Sequence, residues 1–100
     1  MRNLKVDPDA LRRFCLANHM ERLAFFGSVL REDFGPDSDV DILVRFAPGA
    51  HVTLLDIARM EREFSVLVGG RRVDLRTAED LSRRFRQHVV ETAEVAHAAG

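Results

Sequence analysis

The sequence has 100 residues, of which 46% are hydrophobic and 31% are charged, and its formal net charge is −1. This length suits one domain, which we expect over residues 1–100, and this composition excludes a disordered tail. The charge balance gives no reason to expect direct nucleic-acid binding, and no apolar run is long enough to span a membrane. The single cysteine, Cys15, and the lack of a signal peptide favour the reducing cytoplasm.

The first half of the chain predicts a helix, a strand, a helical turn and a second strand. Asp7-Pro8 begins the first helix, because Asp caps helix N-termini and Pro fits the first helical position. Residues 22–27 are a short apolar run that predicts the first strand, and residues 28–32 predict one helical turn. Residues 39–46 alternate between polar and apolar side chains, which predicts a second strand with one charged face.

The second half predicts a long helix over residues 53–68, which the Gly69-Gly70 pair ends. Glu61 interrupts the apolar stripe of this helix, and the sequence offers no reason beyond a contact with a partner. Residues 71–77 predict a third strand with alternating faces, and a last helix is expected from residue 78 towards residue 97.

The predicted order therefore alternates four helical segments with three strands, and the predicted fold class is α+β. The second and third strands each have one apolar and one charged face. A sheet of this kind is covered by helices on one face and open on the other. We expect a three-stranded mixed sheet in two layers, with the helices on its apolar face.

Three aspartates lie on the charged faces of these strands. Asp39 and Asp41 are two residues apart, so their carboxylates leave the same face with backbones roughly 7 Å apart. Carboxylate oxygens suit Mg²⁺, which takes one or two of them together with substrate phosphates. An Asp-x-Asp pair alone is also common as a solvated strand end. The third strand adds Asp74, which reaches the open face near Asp41 if the third strand runs parallel to the second.

The Gly27-Ser28 pair closes the first strand and opens the helical turn. Glycine allows a phosphate to approach the backbone, and the N–H groups of the turn and the Ser28 hydroxyl could hold it. An ordinary strand-to-helix turn with a serine cap is an equal alternative. An antiparallel second strand would bring this turn beside Asp39, so that a triphosphate site would face the acids.

These residues carry a resemblance to a known family. Gly27-Ser28, ten intervening residues and Asp39-Val40-Asp41 resemble the signature of the beta-type DNA polymerase nucleotidyltransferase superfamily. The stretch from Phe26 to Arg45 is similar to the minimal nucleotidyltransferase family in particular, and Asp74 matches that family's third carboxylate. The resemblance covers nearly the whole chain, roughly residues 8 to 95, and implies the nucleotidyltransferase fold.

The resemblance implies a function and a set of roles. Members of this family are commonly antitoxins that transfer AMP from ATP to a tyrosine of a HEPN-domain toxin. By this resemblance Asp39, Asp41 and Asp74 are the catalytic residues that hold Mg²⁺, with two ions expected, and Gly27 and Ser28 bind the nucleotide. Arg31 is a further candidate for binding phosphate, although an Arg on a short turn is as often solvated.

Two other functions remain open at this point. The protein could be an antitoxin that masks a toxin by binding alone, or an enzyme that modifies a small hydroxylated molecule such as an antibiotic. Association with a toxin or with a second copy of the chain is compatible with each reading. The sequence does not fix the acceptor, the base preference or the number of nucleotides transferred.

Overall fold

The computed structural model describes residues 4–31, 34–35 and 37–98. None of the helices in these residues is both long enough and apolar enough to cross a membrane. The helices are α1 (Pro8–Ala17), α2 (Leu54–Leu67) and α3 (Arg83–Thr92), and the strands are β1 (Met20–Phe26), β2 (Val40–Phe46), β3 (Val73–Arg76) and β4 (Glu94–Ala98), with 3₁₀ turns at Gly27–Leu30 and Ala78–Asp80.

The four strands form one mixed sheet in the order β3-β2-β1-β4. β1 and β2 are antiparallel, and β2 and β3 are parallel, as the sequence predicts. The Gly27–Leu30 turn and the loop after it reverse the chain between β1 and β2, whereas α2 provides the crossover that a parallel pair needs. The fold is therefore α+β, and the end of β1 lies beside the start of β2.

The main core lies between the sheet and the pair α1 and α2. Phe64 of α2 is fully buried, and its ring centroid is 5.1 Å from that of Phe14 in α1 and 6.1 Å from that of Phe25 in β1. The buried side chains of β2, Val40, Ile42 and Val44, belong to this core. α1 has the predicted cap, Asp7, which accepts the Asp9 N–H. α2 begins with a capping box of Thr53 and Asp56, which was not predicted.

The second face of the sheet is partly covered, which differs from the predicted open face. Val89 of α3 and Leu81 pack against Phe26 and Leu43, which alternate with the main-core residues of their strands. The predicted last helix also begins later than residue 78, because the Ala78–Asp80 turn precedes it. α3 therefore forms one side of a cleft on this face instead of joining α1 and α2.

The predicted last helix was also wrong in its extent, because the sheet has a fourth strand. Residues 94–98 pair antiparallel with β1, with Leu23 opposite His97 and Phe25 opposite Glu94. The Glu-Val-Ala-His-Ala segment has no strong local preference against a helix. Its strand conformation comes from the second edge of β1, whose N–H and C=O groups would otherwise lack partners from the sheet.

Glu61 has a role within the chain that the sequence did not suggest. Its carboxylate accepts the backbone N–H of Leu75 at 2.8 Å. β3 is an edge strand, and this N–H points away from the ladder with β2. The acid in the apolar stripe of α2 therefore satisfies an edge group of β3.

Candidate active site

The pairing of β1, β2 and β3 places the acids in rows on the second face of the sheet. Asp41 lies between Phe26 of β1 and Asp74 of β3, each of which is its direct register partner. Neighbouring strands are about 4.8 Å apart, so the Asp41 and Asp74 side chains leave the sheet next to each other. Both are half-buried, and Val73 and Leu75 on either side of Asp74 point into the main core. The predicted approach of Asp74 to Asp41 is thus present in the fold.

Asp39 and the Gly27–Leu30 turn meet at the start of β2. The Ser28 hydroxyl donates to the backbone carbonyl of Asp39 at 2.9 Å. This bond joins the turn after β1 to the first acid of β2 across the antiparallel pair. Asp39 is half-buried and immediately precedes β2. Ser28 therefore helps to position the start of β2, and it is also a candidate ligand of phosphate.

Asp41 lies directly against the glycine of the turn. Gly27 has a φ of +73°, and a Cβ atom at this position would be 2.5 Å from Oδ2 of Asp41. The backbone N–H of Ser28 donates to the Asp41 carboxylate. The turn thus binds a carboxylate in this structure. The free N–H groups at the N-terminal end of a helical turn are suited to bind such a group. Glycine is required here for both its conformation and its lack of a side chain.

The three acids influence one another electrostatically. Burial raises the pKa of Asp41 above its usual value, and the charges of Asp74 and then Asp39 raise it further. The Ser28 N–H and the charge of Arg76 act in the opposite direction. A cation bound between these carboxylates would relieve the repulsion between their negative charges.

A cleft of about 620 Å³ opens above these residues. Asp39 and Asp41 form part of its floor, and the Gly27–Leu30 turn forms one side. The opposite side contains Arg76 and residues of the segment between β3 and α3. Asp74 neighbours Asp41 on the sheet but does not itself line the cleft. An apolar wall of Phe26, Leu81 and Phe85 completes the cleft, and the sequence did not predict it.

The loop before β2 is held by an arginine from the next connection. The Arg71 side chain donates to the carbonyls of Gly35 and Ser38, and its guanidinium lies 4.3 Å from the centroid of the Phe34 ring. The loop that leads to Asp39 is thereby attached to the residue that leads into β3. This role of Arg71 is not visible in the sequence, because the contact with Phe34 depends on the sheet topology.

The donor set fits a divalent cation, although its present geometry is not that of a metal site. Among residues 4–31, 34–35 and 37–98, no group of three or more His, Cys, Asp or Glu side chains is arranged to hold a metal ion. The Asp41 carboxylate bonds to the Ser28 N–H in this structure. Hard carboxylate oxygens on one face are nevertheless the ligands that Mg²⁺ prefers. Asp39, Asp41 and Asp74 could hold the ion if Asp41 leaves the turn.

Comparison with known proteins identifies the family. The sequence model of the nucleotidyltransferase domain matches residues 9–97. The chain belongs to the nucleotidyltransferase-domain family. A relative from Methanocaldococcus jannaschii, which carries the name "Putative protein adenylyltransferase", is 31% identical to this nucleotidyltransferase over 78 residues, covering 78% of this chain and 81% of the relative.

Solved structures agree with this assignment. A structure described as "putative minimal nucleotidyltransferase" superposes with a TM-score of 0.69 at 37% identity, over 86% of this chain and 85% of that one. The predicted resemblance to minimal nucleotidyltransferases is therefore confirmed. A toxin–antitoxin crystal structure with AMP-PNP superposes with a TM-score of 0.74 at 17% identity, over 94% of this chain and 75% of that one, and at this identity the likeness shows the fold.

The structure places each of the predicted site residues around one end of the sheet. Gly27, Ser28, Asp39 and Asp41 of this nucleotidyltransferase line the cleft, and Arg31, which follows the Gly27–Leu30 turn, also lines it. Their assigned roles in holding metal and nucleotide stay predictions. The sequence contained a weak signal for Phe85, because this residue lies on the apolar stripe of the predicted last helix. That stripe did not predict that the Phe85 side chain would be 48% exposed at the cleft.

Proposed function

We propose that this nucleotidyltransferase transfers AMP from ATP to a tyrosine hydroxyl of a HEPN-domain toxin, with Mg²⁺ as its metal, and thereby acts as the antitoxin in the cytoplasm. The observation that carries the proposal is the direct pairing of Asp41 in β2 with Asp74 in β3. Asp39 lies immediately before β2, and the Gly27–Leu30 turn contacts Asp41. A glycine-serine turn facing three acids is suited to bind a triphosphate and the cation that accompanies it.

The proposed roles follow from position. Asp39, Asp41 and Asp74 would hold Mg²⁺, which when bound supplies positive charge to the phosphates and to the attacking oxygen. The Ser28 N–H, which donates to the Asp41 carboxylate in this structure, would donate to a phosphate oxygen once that carboxylate turns to the metal. Asp74 lies on the side of β2 away from the turn, so it would accept the proton of the acceptor hydroxyl as that oxygen bonds to the α-phosphorus of ATP and pyrophosphate leaves.

A protein acceptor is supported by two observations. The relative from Methanocaldococcus jannaschii is named as a protein adenylyltransferase, and the neighbour solved with AMP-PNP is a toxin–antitoxin. The chain itself contains no tyrosine, so a tyrosine acceptor must come from another protein. A small helical protein encoded next to this one, with the Arg-x₄-His motif of HEPN-type RNases, is the partner to test first.

The test is transfer of label from α-labelled ATP to that partner in the presence of Mg²⁺, with the modified residue located by mass spectrometry. Asp39→Asn and Asp74→Asn should each abolish transfer. Glu94→Gln is the matched control, because Glu94 is an exposed carboxylate on β4 of the same sheet and does not line the cleft. It should transfer at the parent rate. No label on the partner, or equal transfer by all variants, would refute the proposal.

Protection of cells from the toxin separates catalysis from masking. If the Asp39→Asn and Asp41→Asn double variant protects cells as well as the parent chain does, neutralisation rests on binding alone. If label joins small hydroxylated molecules but no protein, the acceptor class in the proposal is wrong.

A further inference from the structure

Arg76 is the last residue of β3, and it reaches the cleft from the side opposite the Gly27–Leu30 turn. Its register partner is Leu43, so it lies one row beyond the Asp41–Asp74 pair, on the same face of the sheet. Unlike Asp74, it lines the cleft. The sheet order β3-β2-β1 places β2 between Arg76 and the turn that follows β1. A ligand above Asp41 would thus have the turn on one side and Arg76 on the other.

The surroundings of Arg76 leave its guanidinium available to a ligand. In the described part of the chain, its side chain forms no hydrogen bond or ion pair, and its charge acts at longer range on Asp41. The nearby Asp80 side chain accepts from both the N–H and the hydroxyl of Thr77. Arg76 is exposed, so its five N–H donors face solvent in the cleft.

The cleft needs such a cation to bind a polyanion. Its described lining carries four carboxylates but only two guanidinium groups; the residues are Asp37, Asp39, Asp41, Asp80, Arg31 and Arg76. A triphosphate entering this cleft meets an excess of negative charge, so each cation that touches phosphate directly has a large effect on affinity. Arg31 adjoins the turn, which makes Arg76 the cation on the opposite side.

We propose that Arg76 binds the phosphate oxygens of the nucleotide from the side of the cleft opposite the Gly27–Leu30 turn. This inference rests on the proposed function, because it takes the cleft as the site of the nucleotide. Arg76 acts as a substrate-binding residue and as the opposite half of the phosphate site that the turn begins. Its planar fork can bind two phosphate oxygens at once in a fixed geometry, whereas the ammonium group of lysine acts as a point charge.

The experiment measures the binding of three probes by calorimetry with Mg²⁺ and without acceptor: ATP, inorganic tripolyphosphate and adenosine. Arg76→Gln should weaken ATP and tripolyphosphate by about tenfold or more and leave adenosine unchanged. Arg76→Lys should recover part of the loss. Arg72→Gln is the matched control, because Arg72 has the same charge, lies two residues before Asp74 on the same face and does not line the cleft. It should bind all three probes as the parent does.

The outcomes separate this inference from the proposed function. If the parent chain binds neither ATP nor tripolyphosphate, both fail. If the parent binds ATP and Arg76→Gln binds it equally well, only this inference fails, and a raised KM for the protein acceptor would then assign Arg76 to the partner. An equal loss for all three probes, or the same loss in Arg72→Gln, would show a general structural or charge effect and would overturn it. The thermal midpoint of each variant identifies loss of folding.

Discussion

Gly27→Ala tests whether catalysis needs the space above the turn, which the Asp41 carboxylate occupies in this structure and a phosphate would occupy in the proposed complex. Gly27 has a φ of +73°, and its added Cβ would lie 2.5 Å from Oδ2 of Asp41. The left-handed backbone costs an L-residue roughly 1–2 kcal/mol. Any anionic group bound to the Ser28 N–H, which is the Asp41 carboxylate here and a phosphate in the proposed complex, must also move away by about 1 Å, and a misplacement of this size in a reacting group can cost about 10²-fold in rate.

Gly69→Ala is the control that removes the backbone contribution. Gly69 has a φ of +74°, and no heavy atom lies within 4 Å of its added Cβ. Both variants therefore carry nearly the same conformational cost, and only Gly27→Ala displaces Asp41. In a domain of this size each 1 kcal/mol lowers the thermal midpoint by about 4–8 °C, so both should unfold within a few degrees of each other.

The two assays are thermal unfolding by circular dichroism and AMP transfer from labelled ATP at a temperature where both variants are folded. We expect similar midpoints, with transfer reduced about 10²-fold in Gly27→Ala and unchanged in Gly69→Ala. Binding of Mg²⁺ and ATP to each variant should follow the transfer rates. Equal transfer by the two alanine variants would refute the argument that the group bound at the turn needs the space that only glycine leaves.

Three further predictions concern stability and reactivity. The pKa of Asp41 is raised in the fold, so the contribution of its carboxyl group to stability is complete below its pKa in the unfolded chain and is lost as the pH rises through its pKa in the folded chain. Asp41→Asn, measured with a chelator, should therefore raise the thermal midpoint near pH 7 but not near pH 3. An unchanged midpoint at both pH values would contradict the electrostatic account. Phe64→Ala should lower the free energy of unfolding by about 3–5 kcal/mol, because Phe64 is fully buried against Phe14 and Phe25, and a loss below about 1 kcal/mol in urea unfolding would show that the core is not packed there. Cys15 is buried and its pKa is raised by burial to about 11, so a thiol reagent at pH 8 should label it only after denaturation; rapid labelling of the folded chain would disprove this burial.

Local pattern was enough to predict the elements that lead to the site. The alternation around Asp39 and Asp41 assigned β2 and its two faces, and the cap at Asp7 located the start of α1. The crossover rule then gave the parallel pairing that places Asp74 beside Asp41. Alternation and capping are local in the sequence, and the crossover rule needs only the order of the elements, so a single sequence is enough to apply them.

Other features depended on contacts between distant residues. Residues 94–98 form β4 because β1 has an edge to be paired, and their own sequence is equally compatible with a helix. α3 packs over Phe26 and Leu43 on the second face, which converts an open surface into a cleft with Arg76 on one side. Glu61 and Arg71 are likewise explained only by partners far along the chain.

The sequence by itself determined on which face of each strand the candidate site residues lie, because the alternation and spacing of residues in a strand follow from the local sequence. The tertiary structure decided what encloses them and how the Asp41 carboxylate is directed, because strand edges, helix placement and the contact with Gly27 arise only when separate segments pack together.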